Sequence, residues 1–170
     1  KNGNAYTLTG KKTFAANGGE ADVYVVIAQT NEAEGLNGIS AFIADASNIK
    51  VLKSIDKLGL RSFPTAELEF NNTKAELLGN EGEGLKIAAD IQARVDIAFG
   101  ATAVGLGEKA LEESTKHAKT RVQFGSPLAK LQPVQWMLAE MAEKTHILNK
   151  LTFDAAASVD NGEDYLENAT

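Results

Sequence analysis

The first half of the chain carries short apolar runs that are separated by turn signals. The runs lie at 23–28, 39–44, 49–58 and 66–70 and are rich in Val, Ile, Thr and Phe. Short runs of this kind, bounded by glycine and asparagine, are typical of strands in a small sandwich or barrel. We expect the run at 23–28 to be a strand covered on both faces, because it is apolar throughout.

The segment before these runs predicts a hairpin. Residues 5–9 alternate apolar and polar side chains, and Thr9-Gly10 follows as a candidate turn. A second strand would then run over 12–16, and the Asn-Gly-Gly sequence at 17–19 would end it.

Beyond residue 80 the hydrophobic period becomes that of a helix. Apolar residues recur at helical spacing over 84–119 and again over 127–158, where Thr145 and Thr152 interrupt the stripe. Pro127 would open the second helix, since proline is favoured in a first turn. The glycines and alanines of the first helix indicate close packing against backbone or a ligand.

Together these patterns predict an α+β fold. A small antiparallel β-barrel or sandwich would occupy a domain over 1–78, and long antiparallel helices would occupy a second domain over 79–170. Two amphipathic helices cannot fully bury each other's apolar stripes. We therefore expect an incomplete four-helix bundle and interpret the chain as part of a longer protein.

Composition excludes several functions. The 170 residues carry a net charge of −6, which argues against a protein that binds nucleic-acid phosphates. The absence of cysteine excludes thiol nucleophiles, disulfides and cysteine-ligated zinc. The sequence has no apolar run long enough to span a membrane.

Two candidate motifs have simpler explanations. The glycines at 79, 82 and 84 precede a helix and could hold a phosphate, but a turn that feeds the helix explains them better. His117 and His146 lie on different predicted helices without a local carboxylate cluster, so we do not expect a metal site.

Arg94 and Arg121 leave two interpretations open. Arg94 lies among apolar helical residues, where it needs either a carboxylate such as Asp90 or Asp96, or an anionic ligand. Arg121 ends the first helix, where it could simply face the helix dipole. With Gln132, one and a half turns into the next helix, it could instead bind a phosphate or pyrophosphate.

Several stretches together resemble the acyl-CoA dehydrogenase family of flavoproteins. GKKTFAANGG at 10–19 is similar to the family's G-x-K-x-[WF]-I-T-N-G segment, and RVQFGSPLAKLQPVQ at 121–135 is similar to R-x-x-F-G-x-x-L-x-x-x-Q. GISAFIA, KLGLRSFPTAELEF and LLGNEGEGLKIA fit the middle β-domain and its crossing into the helical domain. The resemblance covers essentially all 170 residues and less than half of a typical member.

The resemblance implies site residues for FAD and for acyl-CoA. The FAD contacts would be Phe14, Ala15, Ala16, Arg121, Gln123, Phe124 and Gln132. Of these, Arg121, Gln123 and Gln132 would contact the FAD of a neighbouring subunit, near its pyrophosphate. Arg94 would line the acyl-CoA site, and Thr30 would approach the CoA phosphate.

The family reaction is the α,β-dehydrogenation of an acyl-CoA thioester, here of short or medium chain length. A glutamate removes the α-proton while the β-hydrogen leaves as hydride to the flavin. In most members that base lies late in the chain, and in a minority it precedes the helix arginine, a position that Ala93 holds here. We therefore expect no catalytic residue within these 170 residues, and weak or no FAD binding by the chain alone.

Two departures from the family pattern stand out. Ala16 replaces the usual threonine beside the flavin, so backbone N–H groups would have to serve there. The NNTKAE segment after Phe70 looks like a turn shorter than the family's usual link.

The resemblance also implies a setting for the whole protein. An electron-transfer flavoprotein or similar acceptor, a homo-oligomer, and a bacterial cytoplasm in preference to a mitochondrial matrix are expected. An acyl-CoA oxidase, a nitroalkane oxidase and a non-enzymatic flavin-binding homologue are the alternatives.

Overall fold

The computed structural model describes residues 5–163. Five strands of one sheet, two long helices and a small hairpin of two further strands are the main elements of this part of the chain. In order they are β1 (Tyr6–Ala16), β2 (Val23–Gln29), β3 (Ile39–Asp45), β4 (Ile49–Ser54), β5 (Thr65–Leu78), α1 (Gly84–Thr120), β6 (Val122–Gln123), β7 (Ser126–Pro127) and α2 (Gln132–Asp160). Short 3₁₀ turns occupy Glu32–Gly38, Ala46–Asn48 and Leu128–Lys130. The predicted α+β class is confirmed.

All strand pairs of the five-stranded sheet are antiparallel. The sheet follows the order β1-β5-β3-β2, and β4 pairs with β5 off this path. Strand β5 is therefore the centre of the sheet, since β1, β3 and β4 all pair with it. Strands β1 and β2 stand at the two ends of the path.

Two turns that the sequence predicted are irregularities within strands. The predicted hairpin at Thr9-Gly10 is wrong, because β1 runs through it and only its register with β5 shifts between Leu8 and Gly10. The predicted turn after Phe70 is wrong for the same reason, because β5 continues to Leu78. An extra residue on β5 opposite Thr9, with Asn72 at a φ of 51°, makes a β-bulge there.

The strands enclose a core of their own. Alternate residues of β1, β3 and β5 point inward, which is the expected consequence of the two-residue period of a strand. The buried cluster consists of Tyr6, Leu8, Val26, Phe42, Ala44, Ala66, Leu68 and Phe70. Strand β2 contributes less than its sequence predicted, because Val23 and Val25 are about half exposed. The expectation that β2 is covered on both faces is therefore wrong for this chain.

The second long helix begins later than its sequence predicted. Pro127 lies in β7, and the proline in the first turn of α2 is Pro133. The segment 121–131 instead forms the small hairpin and a 3₁₀ turn. A proline is compatible with both places, so proline alone did not locate the helix start.

Two glycine–threonine pairs lie between α1 and α2. A Cβ atom on Gly100 would come 3.0 Å from the Thr152 hydroxyl, and one on Gly107 would come 3.0 Å from the Thr145 hydroxyl. Each pair is seven residues from the other on both helices and in opposite directions, so the helices are antiparallel as predicted. The threonines that interrupt the apolar stripe therefore pack against helix backbone.

The chain divides into two compact units, residues 1–88 and 89–170. The domain boundary that we placed at 78/79 stays a prediction. No helix in residues 5–163 is long and apolar enough to cross a membrane.

Candidate functional site

The end of β1 presents the segment that the sequence assigned to a flavin. Lys12 pairs with Leu68 and Ala15 with Ala66, so Thr13 and Phe14 together oppose a single residue of β5. This bulge holds Phe14 at a φ of 53° and leaves its side chain 73% exposed. A left-handed conformation is costly for a bulky residue, so the surrounding structure must enforce it.

Side chains connect β1 and β2 where no strand ladder does. The Lys12 ammonium donates to the Ile27 carbonyl at 2.7 Å. The Tyr24 hydroxyl donates to the Asn17 carbonyl at 3.0 Å and accepts from the Gly19 N–H at 2.9 Å. Because β1 and β2 are the two ends of the sheet path, these bonds show that the sheet is curled.

A cavity of about 410 Å³ lies in this seam. It is lined by Lys12, Ala15 and Ala16 of β1 and by Val25 and Ile27 of β2, among others. The lining is mostly apolar, as is usual for a small-molecule pocket. Two of the predicted flavin residues, Ala15 and Ala16, thus line one cavity, and Phe14 directly precedes them in the sequence.

A second group of predicted FAD residues lies at the end of α1. Arg121 follows the last helical residue, and its backbone N–H still donates to the His117 carbonyl at 2.8 Å. With its amide oxygen turned toward the guanidinium, Gln123 accepts from Arg121 Nη2 at 2.8 Å. Gln123 of β6 thereby holds the Arg121 guanidinium beside the hairpin, just before its turn.

The hairpin turn consists of Phe124 and Gly125, both in the left-handed region with φ of 52° and 78°. Two consecutive positive φ values are what a two-residue hairpin loop of type I′ requires. Phe124 projects from the tip and is 95% exposed. Arg121, Gln123 and Phe124 therefore lie close together on one short segment, and their assignment to FAD stays a prediction.

Gln132 differs from its predicted place. It is the first residue of α2 and not one and a half turns into the helix, because the helix starts later than Pro127. Its side chain is exposed. The offset follows from the small hairpin, which takes up the residues that the sequence pattern assigned to the helix.

Arg94 has a carboxylate partner. Its Nε lies 3.1 Å from an Asp90 carboxylate oxygen one helical turn away, and about half of each side chain is exposed. The expectation of a buried arginine is wrong for this chain, and of the two interpretations left open the structure shows a carboxylate pair, with Asp90. Asp96 instead accepts from the Gln92 amide at 2.8 Å. Ala93, beside the arginine, is 2% exposed.

Thr30 belongs to a network of hydroxyl groups. Its hydroxyl donates to the Gly38 carbonyl at 2.7 Å and lies 2.9 Å from the hydroxyl of fully buried Ser40. The Gly82 N–H in turn donates to Ser40 at 2.9 Å. Because the single proton of Thr30 faces Gly38, the Ser40 hydroxyl donates to Thr30.

The glycines before α1 are explained by close packing. A Cβ on Gly82 would lie 2.6 Å from the Asn37 carbonyl oxygen, and one on Gly84 would lie 2.6 Å from the Ser40 backbone. No L side chain fits at either place. This requirement supports the interpretation of the glycines as a turn.

His117 and His146 are the only two histidines of the chain. In the part of the chain between Ala5 and Glu163, no three His, Asp or Glu side chains lie close enough to hold a metal ion. His117 and His146 both lie within long helices.

Electrostatic perturbations occur on exposed surfaces. The Ser47 side chain and backbone lower the pKa of the Asp45 carboxyl, which caps a 3₁₀ turn. Bonds to Glu113 and Glu112 raise the pKa of Lys109 on α1. On α2 the Glu140–Lys144 pair lowers the pKa of the glutamate and raises that of the lysine, chiefly through their hydrogen bond.

Sequence patterns did not indicate the roles of Lys12, Tyr24 and Ser40 in these contacts. A signal for Lys12 was available in the pair Lys11-Lys12, because adjacent residues of a strand point to opposite faces. The Lys11 ammonium lies 3.7 Å from the carboxylate of Glu69, its partner on β5, on one face of the sheet. Lys12 must then face the other way.

Family models match the chain in two consecutive parts. Residues 1–73 match the acyl-CoA dehydrogenase middle domain, and residues 82–169 match the acyl-CoA dehydrogenase C-terminal domain. The order agrees with a β unit followed by helices.

Curated relatives and solved structures agree with these matches. The acryloyl-CoA reductase (NADH) of Anaerotignum propionicum is 40% identical over 95% of this chain and 42% of its own length. The short-chain-specific acyl-CoA dehydrogenase of Megasphaera elsdenii is 37% identical over 96% and 44%. The structure of butyryl-CoA dehydrogenase from Megasphaera elsdenii superposes with a TM-score of 0.93 over 99% of this chain and 46% of its own.

A structure of PigA with FAD and proline is 30% identical, with a TM-score of 0.90 over 96% of this chain and 44% of its own. The chain spans less than half the length of the relatives it matches. With both domain models in order along its length, the chain belongs to the acyl-CoA dehydrogenase family.

Proposed function

We propose that this chain forms the middle and early C-terminal part of an FAD-dependent acyl-CoA dehydrogenase for short or medium acyl chains. The observation that carries the proposal is the superposition on butyryl-CoA dehydrogenase along 99% of the chain at 37% identity. Relatives named for acyl-CoA chemistry share its sequence over the same span.

The residues present fit a flavin dinucleotide. The apolar cavity in the seam between β1 and β2 suits a planar ring system, and the exposed Phe14 beside it offers an aromatic face. Arg121 offers a guanidinium, whose paired N–H groups match phosphate geometry. When bound, FAD accepts the hydride that leaves the substrate.

The two groups of FAD residues lie in different units of the chain. Phe14, Ala15 and Ala16 belong to residues 1–88, whereas Arg121, Gln123, Phe124 and Gln132 belong to residues 89–170. We propose that the second group binds the FAD of a neighbouring subunit in a homo-oligomer, with an electron-transfer flavoprotein as electron acceptor.

The substrate contacts differ in how the structure supports them. Thr30 is exposed, and its proton lies on a carbonyl that also accepts from the Thr30 and Asn31 N–H groups. Releasing that proton to a CoA phosphate would leave the Gly38 carbonyl satisfied. Arg94 would have to share its guanidinium between Asp90 and the substrate.

We propose that the base which removes the α-proton lies outside these residues. Ala93 carries a methyl group where some family members have a carboxylate, and Asp90 is already paired with Arg94. A general base must reach the proton that it takes. The chain alone should therefore not oxidise an acyl-CoA.

The test uses the whole enzyme that carries this chain. Arg121→Ala should weaken FAD binding by roughly tenfold or more, because hydrogen bonds to charged groups contribute about 1.5–3 kcal/mol. Gln132→Ala should weaken it less, since a neutral contact contributes about 0.5–1.5 kcal/mol. Titration of the apoenzyme with FAD, followed by flavin fluorescence, measures both.

Arg61→Ala is the matched control. Arg61 is also exposed, but its guanidinium bonds locally to the Lys57 carbonyl and to Asp56. An Arg121→Ala enzyme that binds FAD as tightly as Arg61→Ala would contradict the proposed phosphate contact and favour a helix-end role for Arg121.

The name of one relative supports a second candidate, the reductive direction. Acryloyl-CoA reductase (NADH) shares 40% identity with this chain. The whole enzyme should be assayed with butyryl-CoA and an artificial acceptor, and with acryloyl-CoA and NADH. Greater turnover in the second assay would favour the reductase.

A further inference from the structure

The Thr30 hydroxyl is held in place by its neighbours in the sheet. Strands β2 and β3 pair up to Gln29 and Ile39. The next residue, Thr30, therefore lies opposite Gly38 and diagonal to Ser40. Because Gly38 has no side chain, the Thr30 hydroxyl reaches across it and lies 2.9 Å from the Ser40 hydroxyl. The pairing of the two strands thus fixes the distance between the two hydroxyl groups.

The Ser40 hydroxyl is oriented from its other side by the segment before α1. Its oxygen accepts from the Gly82 N–H at 2.9 Å, and its proton goes to the Thr30 oxygen. Ser40 is fully buried by residues of the β unit itself, so water does not compete for this hydroxyl. Further segments of a whole enzyme can only add to that burial.

This arrangement prepares Thr30 as a donor. A hydroxyl that accepts a hydrogen bond becomes a stronger donor, because the bonds of a chain polarise one another. The Thr30 proton lies on the Gly38 carbonyl at 2.7 Å, and that carbonyl also accepts from the Thr30 and Asn31 N–H groups. The proton can therefore turn to an anion while the Gly38 carbonyl and the Thr30 oxygen both keep a partner.

We propose that Ser40 is a positioning residue for the phosphate of the CoA thioester. It acts through Thr30, because its hydroxyl fixes the Thr30 oxygen and strengthens the Thr30 O–H as a donor. This inference rests on the proposed function, in which Thr30 approaches a CoA phosphate. Ser40 is fully buried and needs no contact with the substrate.

The experiment compares two thioesters in the whole enzyme with an artificial acceptor. Butyryl-CoA and S-butyryl-pantetheine carry the same acyl group, but the second lacks the nucleotide and all phosphates. We define the phosphate preference as kcat/KM for the first divided by kcat/KM for the second. Ser40→Ala should lower this preference roughly fivefold, the scale of one neutral hydrogen bond. Thr30→Val should lower it roughly tenfold, the scale of one bond to a charged group.

A double variant tests whether Ser40 acts through Thr30. Once Thr30→Val has removed the phosphate contact, adding Ser40→Ala should lower the phosphate preference no further, because residues in one hydrogen-bond network are not additive. A double variant that falls another fivefold or so below Thr30→Val would overturn the inference, since Ser40 would then act independently of Thr30.

Thr73→Val is the matched control for losing a buried hydroxyl. Thr73 is 1% exposed in the same unit, and its hydroxyl donates to the Asn48 carbonyl at 3.1 Å, outside this network. Its phosphate preference should stay within about twofold of wild type, as expected for an independent site. A Ser40→Ala enzyme that melts at a lower temperature but keeps the preference of Thr73→Val would show a purely structural serine and overturn the inference.

A second substitution covers the case in which Ser40→Ala does not fold. Ser40→Cys keeps a side chain of similar shape, but its thiol is a weak donor and acceptor. It should also lower the phosphate preference, and an unchanged preference in Ser40→Cys would overturn the inference.

Failure of the proposed function gives a separate outcome. A wild-type enzyme that does not oxidise butyryl-CoA would contradict the proposed function and the inference with it. A wild-type enzyme that oxidises butyryl-CoA, with a Ser40→Ala variant of unchanged phosphate preference, would overturn the inference alone.

Discussion

The two units of the chain differ in the size of the apolar residues that they bury. In the β unit, Phe42 is 1% exposed and Leu68 is equally buried. On the two long helices, Phe99, Leu106, Trp136 and Phe153 are each more than half exposed. The buried apolar residues of the helices are mostly small, among them Ala118 and Ala155.

This difference predicts that the two units differ in stability. The strands form a closed cluster within residues 1–88, which resembles the core of an independent small domain. Two helices offer each other only one stripe, and their remaining apolar surface needs further cover. We therefore expect the β unit to resist denaturation better than the helical unit when the chain is studied alone.

The largest effect should come from a matched pair of phenylalanines. Phe42→Ala should lower the unfolding free energy of the β unit by about 3–5 kcal/mol, since it leaves a cavity in a packed core. Phe153→Ala removes a side chain that is 68% exposed and should cost about 0.5 kcal/mol or less. Urea unfolding followed by circular dichroism measures both.

If Phe42→Ala and Phe153→Ala lowered the unfolding free energy equally, the proposed difference between the two units would be wrong. Repeating Phe153→Ala in the whole enzyme sharpens it. A cost that rises there to several kcal/mol would show that other parts of the protein cover this helix surface.

A smaller effect should follow from the buried hydroxyl network. Ser40→Ala leaves the Gly82 N–H without its acceptor and should destabilise the β unit by about 1–3 kcal/mol. Thr30→Val also leaves the Ser40 hydroxyl proton without its acceptor, but it should cost less, because the Gly38 carbonyl keeps two N–H donors and the Gly82 N–H keeps Ser40. Thermal unfolding of both variants checks the order, and a larger loss for Thr30→Val would contradict this ranking.

Two glycines of α1 should respond differently to the same change. Gly105→Ala should stabilise the helices by about 1 kcal/mol, the difference in helix propensity, since a Cβ there meets nothing within 4 Å. Gly107→Ala should lose that gain, because its Cβ would press on the Thr145 hydroxyl at 3.0 Å. Equal stabilisation in urea unfolding would show that the helices do not approach closely at Gly107.

The smallest effect should be the pH dependence of the Glu140–Lys144 pair. The lowered pKa of Glu140 contributes stability above its ordinary value of 4.5 that is lost as the pH falls through the folded value. The raised pKa of Lys144 contributes stability below 10.5 that is lost as the pH rises through the folded value. Glu140→Gln should therefore lower the pKa of Lys144, which an NMR titration would detect. An unchanged lysine pKa would contradict the pairing.

The sequence predicted the type of each long element better than its ends. The change of hydrophobic period near residue 80 separated strands from helices correctly. Gly10 and the Asn71-Asn72 pair carry turn chemistry, but a strand absorbs such residues as irregularities when a partner strand continues on both sides. Pairing of that kind is a long-range property, so local residue patterns could not reveal it.

Motifs predicted the residues of the candidate site, but they did not predict the contacts that hold those residues in place. Arg121, Gln123 and Phe124 come together because they lie within four consecutive residues at the start of the β6–β7 hairpin, which a motif captures. Lys12 and Ile27 meet only because the sheet curls until its two end strands approach. No local pattern contains that curvature. The burial of Arg94 was overestimated because its apolar neighbours in sequence suggested a packed helix face, whereas the arginine side chain is 55% exposed.

The left-handed phenylalanines suggest how selection would act on this protein. Phe14 and Phe124 both have φ values near +50°, a conformation that glycine or asparagine adopts at a lower energetic cost. A library selected only for heat resistance should therefore drift toward glycine or asparagine at both positions. A library selected for flavin retention should keep the aromatic rings. Sequencing the survivors of the two selections would separate residues maintained for folding from residues maintained for the cofactor.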